Sequence, residues 1–320
     1  MIRTVAVTGA TGFIGRHLTA DLARRGVEVR AIVRPGSPSA DPAGAAVVRV
    51  PLEIPALSPA FAGVDAVVHL AGVVSAVDAA TYAAVNAEGT RAVAAAANAA
   101  GAHLVHVSSL AAAGPASASM PRGEDDPPDP ITPYGRSKLD SERALRGMPS
   151  LSWTVLRPGV VYGPGDRAVL PLFKLAASPI VPVVGRPGAA YTFVYVTDVV
   201  RAIEAALDKT SAGGTFFVGH PEPVTPLALL ETIQRALGRH GGLFHVPMPV
   251  THMAAEVFDV VGRMTGRAML INRWRYAELS AEGFVCRVDR MRDVLGVTAA
   301  VDLPSGIKKT AEWYRREGWL

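Results

Sequence analysis

The reading of this chain turns on one stretch near its start, Thr4-Val5-Ala6-Val7-Thr8-Gly9-Ala10-Thr11-Gly12-Phe13-Ile14-Gly15. A short, β-branched apolar run ends in Gly-x-x-Gly-x-x-Gly, and an amphipathic segment from Phe13 to Arg25 follows until Gly26 stops it. Strand, glycine turn and helix in that order bring backbone N–H groups and the positive helix end to a place where a pyrophosphate can rest. Gly15 lets the helix lie close to the strand. Bare glycines would be a weak signal; the strand before them and the helix after them give them meaning.

The same alternation continues downstream. Val27 to Val33, Ala46 to Val50, Ala66 to Leu70, Leu104 to Ser108 and Trp153 to Leu156 are near-continuous apolar runs, as strands buried on both faces should be. Helix-length segments lie between them, among them Ala79 to Ala100, closed by Gly101. The pattern predicts an α/β fold, a Rossmann-type doubly wound parallel sheet with a smaller C-terminal substrate-binding domain. Residues 1–160 would form the nucleotide-binding domain and 161–320 mainly the second. About 192–218 would return to the first, because Thr197 to Leu207 reads as a helix and Thr215 to Val218 as a strand. Past Arg157-Pro158, prolines at 164, 171, 179, 182 and 187 break the regularity, and Met120 to Pro130, with Gly123 and four prolines, reads as a mobile loop.

With 49% hydrophobic and 19% charged residues in 320, the chain has ample material for a large core and reads as a folded, soluble protein. A net charge of +4 is too small and too scattered for a nucleic-acid surface. The lone Cys286 can form neither an internal disulfide nor a thiolate metal site, which suits a reducing compartment. No apolar run reaches the ~18 residues of a membrane span, and Met1-Ile2-Arg3-Thr4-Val5 leads into a strand pattern and not a signal peptide. The expectation is a cytoplasmic protein without stable membrane insertion. His69, His103, His106 and His245 do not pair with carboxylates at ligand spacing, so no metal is expected.

Two further clusters carry chemistry. Thr132-Pro133 supplies an N-cap and a first-turn proline, so a helix should start at Tyr134-Gly135-Arg136-Ser137-Lys138, with Tyr134 and Lys138 on one face at i,i+4. A free phenol titrates near pH 10, and an adjacent cation lowers that value toward the range of acid–base work. Upstream, His106-Val107-Ser108-Ser109 ends a strand at the carboxyl edge of the sheet, where a hydroxyl can polarise a carbonyl. At the end of the second strand, an acidic residue about 20 positions on from the glycines would mark NAD. Ile32-Val33-Arg34-Pro35 offers a guanidinium in its place, which favours NADP over NAD.

These residues, with His69-Leu70-Ala71-Gly72, Val85-Asn86-Ala87-Glu88-Gly89-Thr90, Leu156-Arg157-Pro158, Val161-Tyr162-Gly163-Pro164 and Phe193-Val194-Tyr195-Val196-Thr197-Asp198-Val199, reach a known family. The chain resembles, over nearly its whole length, the extended short-chain dehydrogenase/reductases, that is, the NAD(P)-dependent epimerase/dehydratase superfamily. Its end, Leu303-Pro304-Ser305-Gly306-Ile307 to Trp313-Tyr314, also resembles the family's last helix. The resemblance implies Tyr134 as acid/base, Lys138 as its pKa modulator and ribose ligand, and Ser109 as third member. It implies cofactor contacts at Gly9, Thr11, Gly12, Phe13, Ile14, Gly15, Arg34, Leu52, Leu70, Ala71, Gly72, Tyr134, Lys138, Pro158 and Val160, and substrate contacts at Ser108, Ser109, Val74 and Val161. Asn86 would lie on a central helix whose alanines, Ala92 to Ala100, allow either contact with a second subunit in a homodimer or tight packing within the chain.

The sequence departs from the pattern in places that bear on substrate. Val50-Pro51-Leu52 stands where many relatives have Gly-Asp-Leu, which leaves the adenine to backbone and apolar contacts. Nucleotide-sugar enzymes of the family hold a diphosphate with an Asn where this chain has Val160, a basic residue where it has Tyr191-Thr192, and a C-terminal arginine not matched around Ala281 to Cys286. Unpaired phosphates are expensive to bury, so a small-molecule substrate that is uncharged or apolar fits better. Val250 to Ile271, with Met248, Met253, Phe258, Met264, Met269 and Leu270 in or beside it, reads first as ordinary core and second as cover for an apolar ligand. The motifs also look like the 3β-hydroxysteroid dehydrogenase and dihydroflavonol reductase branches. The reading is an NADP-preferring oxidoreductase interconverting a secondary alcohol and a ketone. The alternatives are a nucleotide-sugar epimerase or dehydratase that retains its NAD(P), and a nucleotide-sensing regulator, which would have no need of Tyr134 and Lys138.

Overall fold

Ala6 faces one side of its strand while Val5 and Val7 face the other, and all three are fully buried, so Thr4–Thr8 needs cover on both faces. A computed structural model, which describes residues 2–208, 211–266, 269 and 271–320, places that strand inside a seven-stranded sheet. The sheet order is Thr215–Val218, Trp153–Pro158, His103–Val107, Ala66–His69, Thr4–Thr8, Glu28–Val33, Ala46–Arg49, and every pairing is parallel. The strand order reverses between Thr4–Thr8 and Ala66–His69, which opens a crevice at the carboxyl edge.

One face buries Val5, Val7, Leu18, Leu22, Val199 and Ile203 beneath the helices Phe13–Arg24 and Val196–Ala206. The other buries Ala6, Leu57, Phe61, Val67, Leu104 and Leu145 beneath Ile54–Ala60, Gly89–Ala99 and Pro133–Arg146. The expected strands stand within a residue or two, and the sixth runs two residues further, to Pro158. The long helix from Ala79 is less regular than its composition suggests, since Ala83–Glu88 forms a π-helical turn between Ala79–Tyr82 and Gly89–Ala99. Ala94, Ala96 and Ala97 are fully buried against Leu57, Phe61 and Leu145, so the alanine stretch packs within the chain.

In the second half, Val160–Tyr162 pairs with Phe193–Tyr195, Ile180–Val183 with Gly242–His245, and Ala190–Tyr191 with Gly283–Phe284. Tyr162, Phe173, Val181, Ile233 and Tyr314 form its core. Two expectations are corrected here. Met120 to Pro130 is strapped down: Arg122 N donates to Val285 O at 2.9 Å, Arg287 N to Arg122 O at 2.9 Å, and Phe217 N to Glu124 Oε1 at 3.1 Å. The methionine-bearing stretch is not core, because in the helix Met248–Thr265 only Thr251, Ala255 and Gly262 are buried, while Met253 and Met264 are 65% and 82% exposed. Leu270 lies outside the described residues. Among the described residues no helix is long and apolar enough to cross a membrane.

Candidate active site

The glycine loop is shaped by contact. Gly9 has φ +71°, and a Cβ there would lie 2.6 Å from the Ala71 nitrogen. A Cβ on Gly15 would overlap the Gly9 carbonyl oxygen and lie 2.7 Å from Ala10 Cα. Gly12 caps the helix Phe13–Arg24 with no side chain, so its first-turn N–H groups have no side-chain partner. That vacant cap beside close-packed backbone fits a pyrophosphate. Thr11, Phe13 and Ile14 complete the turn, and Leu70, Ala71 and Gly72 line its far wall. Arg34 is exposed just past Val33, its guanidinium unpartnered among the described residues. Arg16, passed over in the sequence, donates to Thr11 O in the glycine turn at 3.0 Å and to Ala40 O at 2.8 Å. Leu52 is half-buried against Gly89.

Beneath this loop runs a buried relay with one consistent proton order. Thr90 gives its hydroxyl proton to Asn86 O, so His69 Nε2 must donate to Thr90 Oγ1 at 2.9 Å. His69 Nδ1 then accepts from Thr8 Oγ1 at 2.7 Å, and that oxygen accepts from Ala71 N at 3.3 Å. Burial pushes His69 down to about 3, with the Lys138 charge acting the same way, so the ring is neutral as the relay requires. His106 stacks on it at 5.3 Å and reaches Ser141 at 2.8 Å, so two of the four histidines read singly in the sequence form a buried pair. Asn86, in the π-helical turn, receives Val73 N at 2.8 Å and donates to Ser137 Oγ at 3.0 Å. It ties the nucleotide wall to the helix of Tyr134.

That helix begins as its sequence dictates, with Gly135 N donating to the Thr132 hydroxyl at 3.2 Å and Pro133 in the first turn. Gly135 is needed because a Cβ there would lie 3.1 Å from the Ala111 carbonyl carbon, and this closeness brings Tyr134 to the turn after Ser109. The Tyr134 phenol faces Ser109. Burial raises its pKa above the ordinary phenol value, and the Ser109 hydroxyl beside it pulls the other way. The expected lowering by Lys138 does not appear. Lys138 Nζ instead donates to Val107 O at 2.9 Å, and burial holds its pKa at about 8, with Glu142 raising it.

Glu142 itself is fully buried and accepts Arg157 Nε at 2.9 Å, Arg157 Nη2 at 2.7 Å and the Ser108 hydroxyl at 2.6 Å. Ser108 is thereby turned into the protein, away from the position expected for it on the substrate side, whereas Ser109 stays half-buried and open to Tyr134. Pro158 is buried at the end of its strand, Val160 and Val161 lie on the following strand at 38% exposure and half-buried, and Val74 is 69% exposed on the loop after Gly72. The helix Arg273–Ser280 was not picked out in the sequence. It brings Trp274 to 5.7 Å from the Tyr82 ring, itself 5.9 Å from the Tyr134 ring, and its Glu278 pairs with Arg275 at 2.8 Å. Among the described residues no group of three or more His, Cys, Asp or Glu is placed to hold a metal ion.

Residues 5–219 match the model of the NAD dependent epimerase/dehydratase family. Over 322 aligned residues the chain is 31% identical to the ceramide reductase of Caulobacter vibrioides, covering 99% of this chain and 96% of that one. It is similar to the structure of MoeE5 in complex with UDP-glucuronic acid and NAD, at TM-score 0.79 and 26% identity over 98% of this chain and 99% of that one. It shares its fold with the UDP-glucose 4-epimerase of Thermotoga maritima, at TM-score 0.81 and 23% identity over the same shares.

Proposed function

The chain belongs to the NAD-dependent epimerase/dehydratase family and is an enzyme of that family, and from this premise we propose that it is an NADP-preferring oxidoreductase interconverting a secondary alcohol and a ketone on an apolar or small, uncharged substrate. One observation carries the reading: the half-buried Tyr134, in the first turn of Pro133–Arg146, and Ser109, at the end of the strand His103–Val107, come together at the carboxyl edge of the sheet that also carries the uncapped glycine turn. When bound, the cofactor supplies the hydride at the carbonyl carbon. Tyr134 gives its proton to the carbonyl oxygen, and Ser109 donates a hydrogen bond to the same atom, so charge developing there is met by two oriented donors. Lys138 donates to the Val107 carbonyl oxygen, the charge of Glu142 favours its protonated form, and in this reading it would hold the ribose of the cofactor. The reductase named among the relatives supports this reading.

The second reading, a nucleotide-sugar epimerase, is favoured by the likeness to MoeE5 with its UDP-sugar. The two differ in what happens to the cofactor. The oxidoreductase is expected to show net loss of NADPH absorbance with a panel of ketones and aldehydes. Micromolar UDP binding, displaced by a UDP-sugar and accompanied by no net NADPH consumption, would promote the epimerase instead.

Cofactor choice is read from Arg34, whose guanidinium is unpartnered among the described residues at the end of Glu28–Val33. Arg34→Ala is expected to weaken NADP(H) by about 1.5–3 kcal/mol, the scale of a hydrogen bond to a charged group, and to leave NAD(H) almost unchanged. Calorimetry showing equal losses for both, or a wild type that prefers NAD(H), contradicts the assignment.

A further inference from the structure

The helix Met248–Thr265 is inverted with respect to an ordinary surface helix. Val250, Met253, Val257, Val260, Val261 and Met264 recur at three- and four-residue steps, so at 3.6 residues per turn they form one stripe about 100° wide. Such a stripe normally faces the core. Here all six side chains are exposed, by 38% to 82%, and nearly opposite them the small residues Thr251, Ala255 and Gly262 are buried against the protein. Single exposed apolar side chains are ordinary, but a continuous stripe of them marks a surface that is covered in use.

The charges beside the stripe bear on what covers it. Arg263 and Arg273 share one carboxylate, that of Asp259, with Arg273 Nε at 2.9 Å from it, and Arg275 pairs with Glu278 at 2.8 Å. The three arginine side chains are 54%, 50% and 54% exposed, whereas Asp259 and Glu278 are 14% and 18% exposed. Guanidiniums therefore form the outer layer, with the carboxylates behind them. On the polar flank of the helix, His252 and Glu256 face one another at 3.7 Å. In sequence, residues 263–275 hold four arginines and no acidic residue.

We propose that this helix is a docking surface for an anionic membrane. It lies in the plane of the interface, with the stripe among the acyl chains and the guanidiniums against lipid phosphates. A second copy of the chain is the poorer occupant. It would bring the same guanidinium-rich end with it, and the stripe holds only valine and methionine, without the tyrosine, tryptophan and arginine anchors that dominate protein interfaces. The Asp259–Arg273 bond ties the helix to Arg273–Ser280, whose Trp274 lies 5.7 Å from Tyr82, so the docked face is one helix away from the site. The proposal stands apart from the oxidoreductase reading, because its test reads binding and not turnover.

The full chain is sedimented with vesicles of phosphatidylcholine alone or of phosphatidylcholine mixed with phosphatidylglycerol. Wild type is expected to bind the mixed vesicles more than tenfold better, since each basic side chain near an anionic surface is worth about fivefold. Arg273→Gln, which leaves Arg263 on Asp259, should weaken binding to the mixed vesicles about fivefold and leave the neutral ones unchanged. Val257→Glu, in the middle of the stripe at 56% exposure, should weaken binding to both by about tenfold or more, the worth of burying one valine, and melt at the temperature of wild type. Binding to neither kind of vesicle, equal binding to both, or full binding by Val257→Glu overturns the proposal. So does a lowered melting temperature of Val257→Glu, which would mean that the stripe is packed within the protein. A concentration-dependent dimer in light scattering that Val257→Glu abolishes gives the face to a second copy and overturns it as well.

Discussion

Tyr134→Phe is expected to lower turnover by about 10²-fold or more, the contribution of a positioned proton donor, while the cofactor still binds. The substitution keeps the ring, which packs 5.9 Å from Tyr82, and removes only the oxygen that Ser109 meets. Because burial raises the pKa of this hydroxyl, it is protonated at neutral pH and is a ready donor for ketone reduction. Steady-state kinetics with NADPH and the best ketone of the panel, beside a cofactor titration by calorimetry, give the two readouts. A rate loss smaller than about 10²-fold would mean that another group, or water, delivers the proton, and Tyr134 would then be a wall of the site and not its acid. Loss of cofactor binding would mean that the hydroxyl acts on the nucleotide.

Why so much of this architecture was legible in the sequence is clear from particular residues. Val5-Ala6-Val7 and its sister runs are buried on both faces, so they carry no polar interruptions and stand out as blocks. Thr132-Pro133 and Gly12 announce helix starts through local capping chemistry, which needs no knowledge of the rest of the fold. What stayed hidden depends on pairing across the sheet or between halves of the chain. Glu142 sits on an amphipathic helix and looks like a solvent-facing charge until Trp153–Pro158 brings Arg157 against it. The direction of Ser108 follows from alternation along one strand: His106 and Ser108 share a face and meet Ser141 and Glu142 of the same helix, which leaves Ser109 to the site. Arg275 and Glu278 come from a helix with no buried residue and no apolar stripe, so no periodic signal marks it. The π-helical turn at Asn86 is set among alanines, where one extra residue per turn disturbs no pattern.

Breaking the Glu142–Arg157 pair should be the most destabilising single change near the site. Arg157→Met replaces a side chain that is 3% exposed by an apolar one of similar length, and leaves a carboxylate with 0% exposure whose remaining polar contacts are the Ser108 hydroxyl and Arg146 at 3.4 Å, with the Lys138 charge acting on it without a direct bond. A buried charge deprived of its partner costs about 3–5 kcal/mol, to be read from urea unfolding of the variant against wild type. The double variant Glu142→Leu/Arg157→Met removes both charges and is expected to recover most of that loss, since an apolar pair of similar volume is often as stable as the ions it replaces. A single-variant loss under about 1 kcal/mol would place the pair with exposed ion pairs and show that water reaches it. Function separates the two variants in the other direction. Glu142 is the carboxylate that raises the pKa of Lys138 against burial, the two together leaving that amine at about 8. In the double variant the Lys138 pKa therefore falls further, and the charge it contributes is lost at lower pH. The refolded, stable double variant should then show an alkaline limb of activity shifted to lower pH, whereas a pair that served stability alone would leave that limb where it is in wild type.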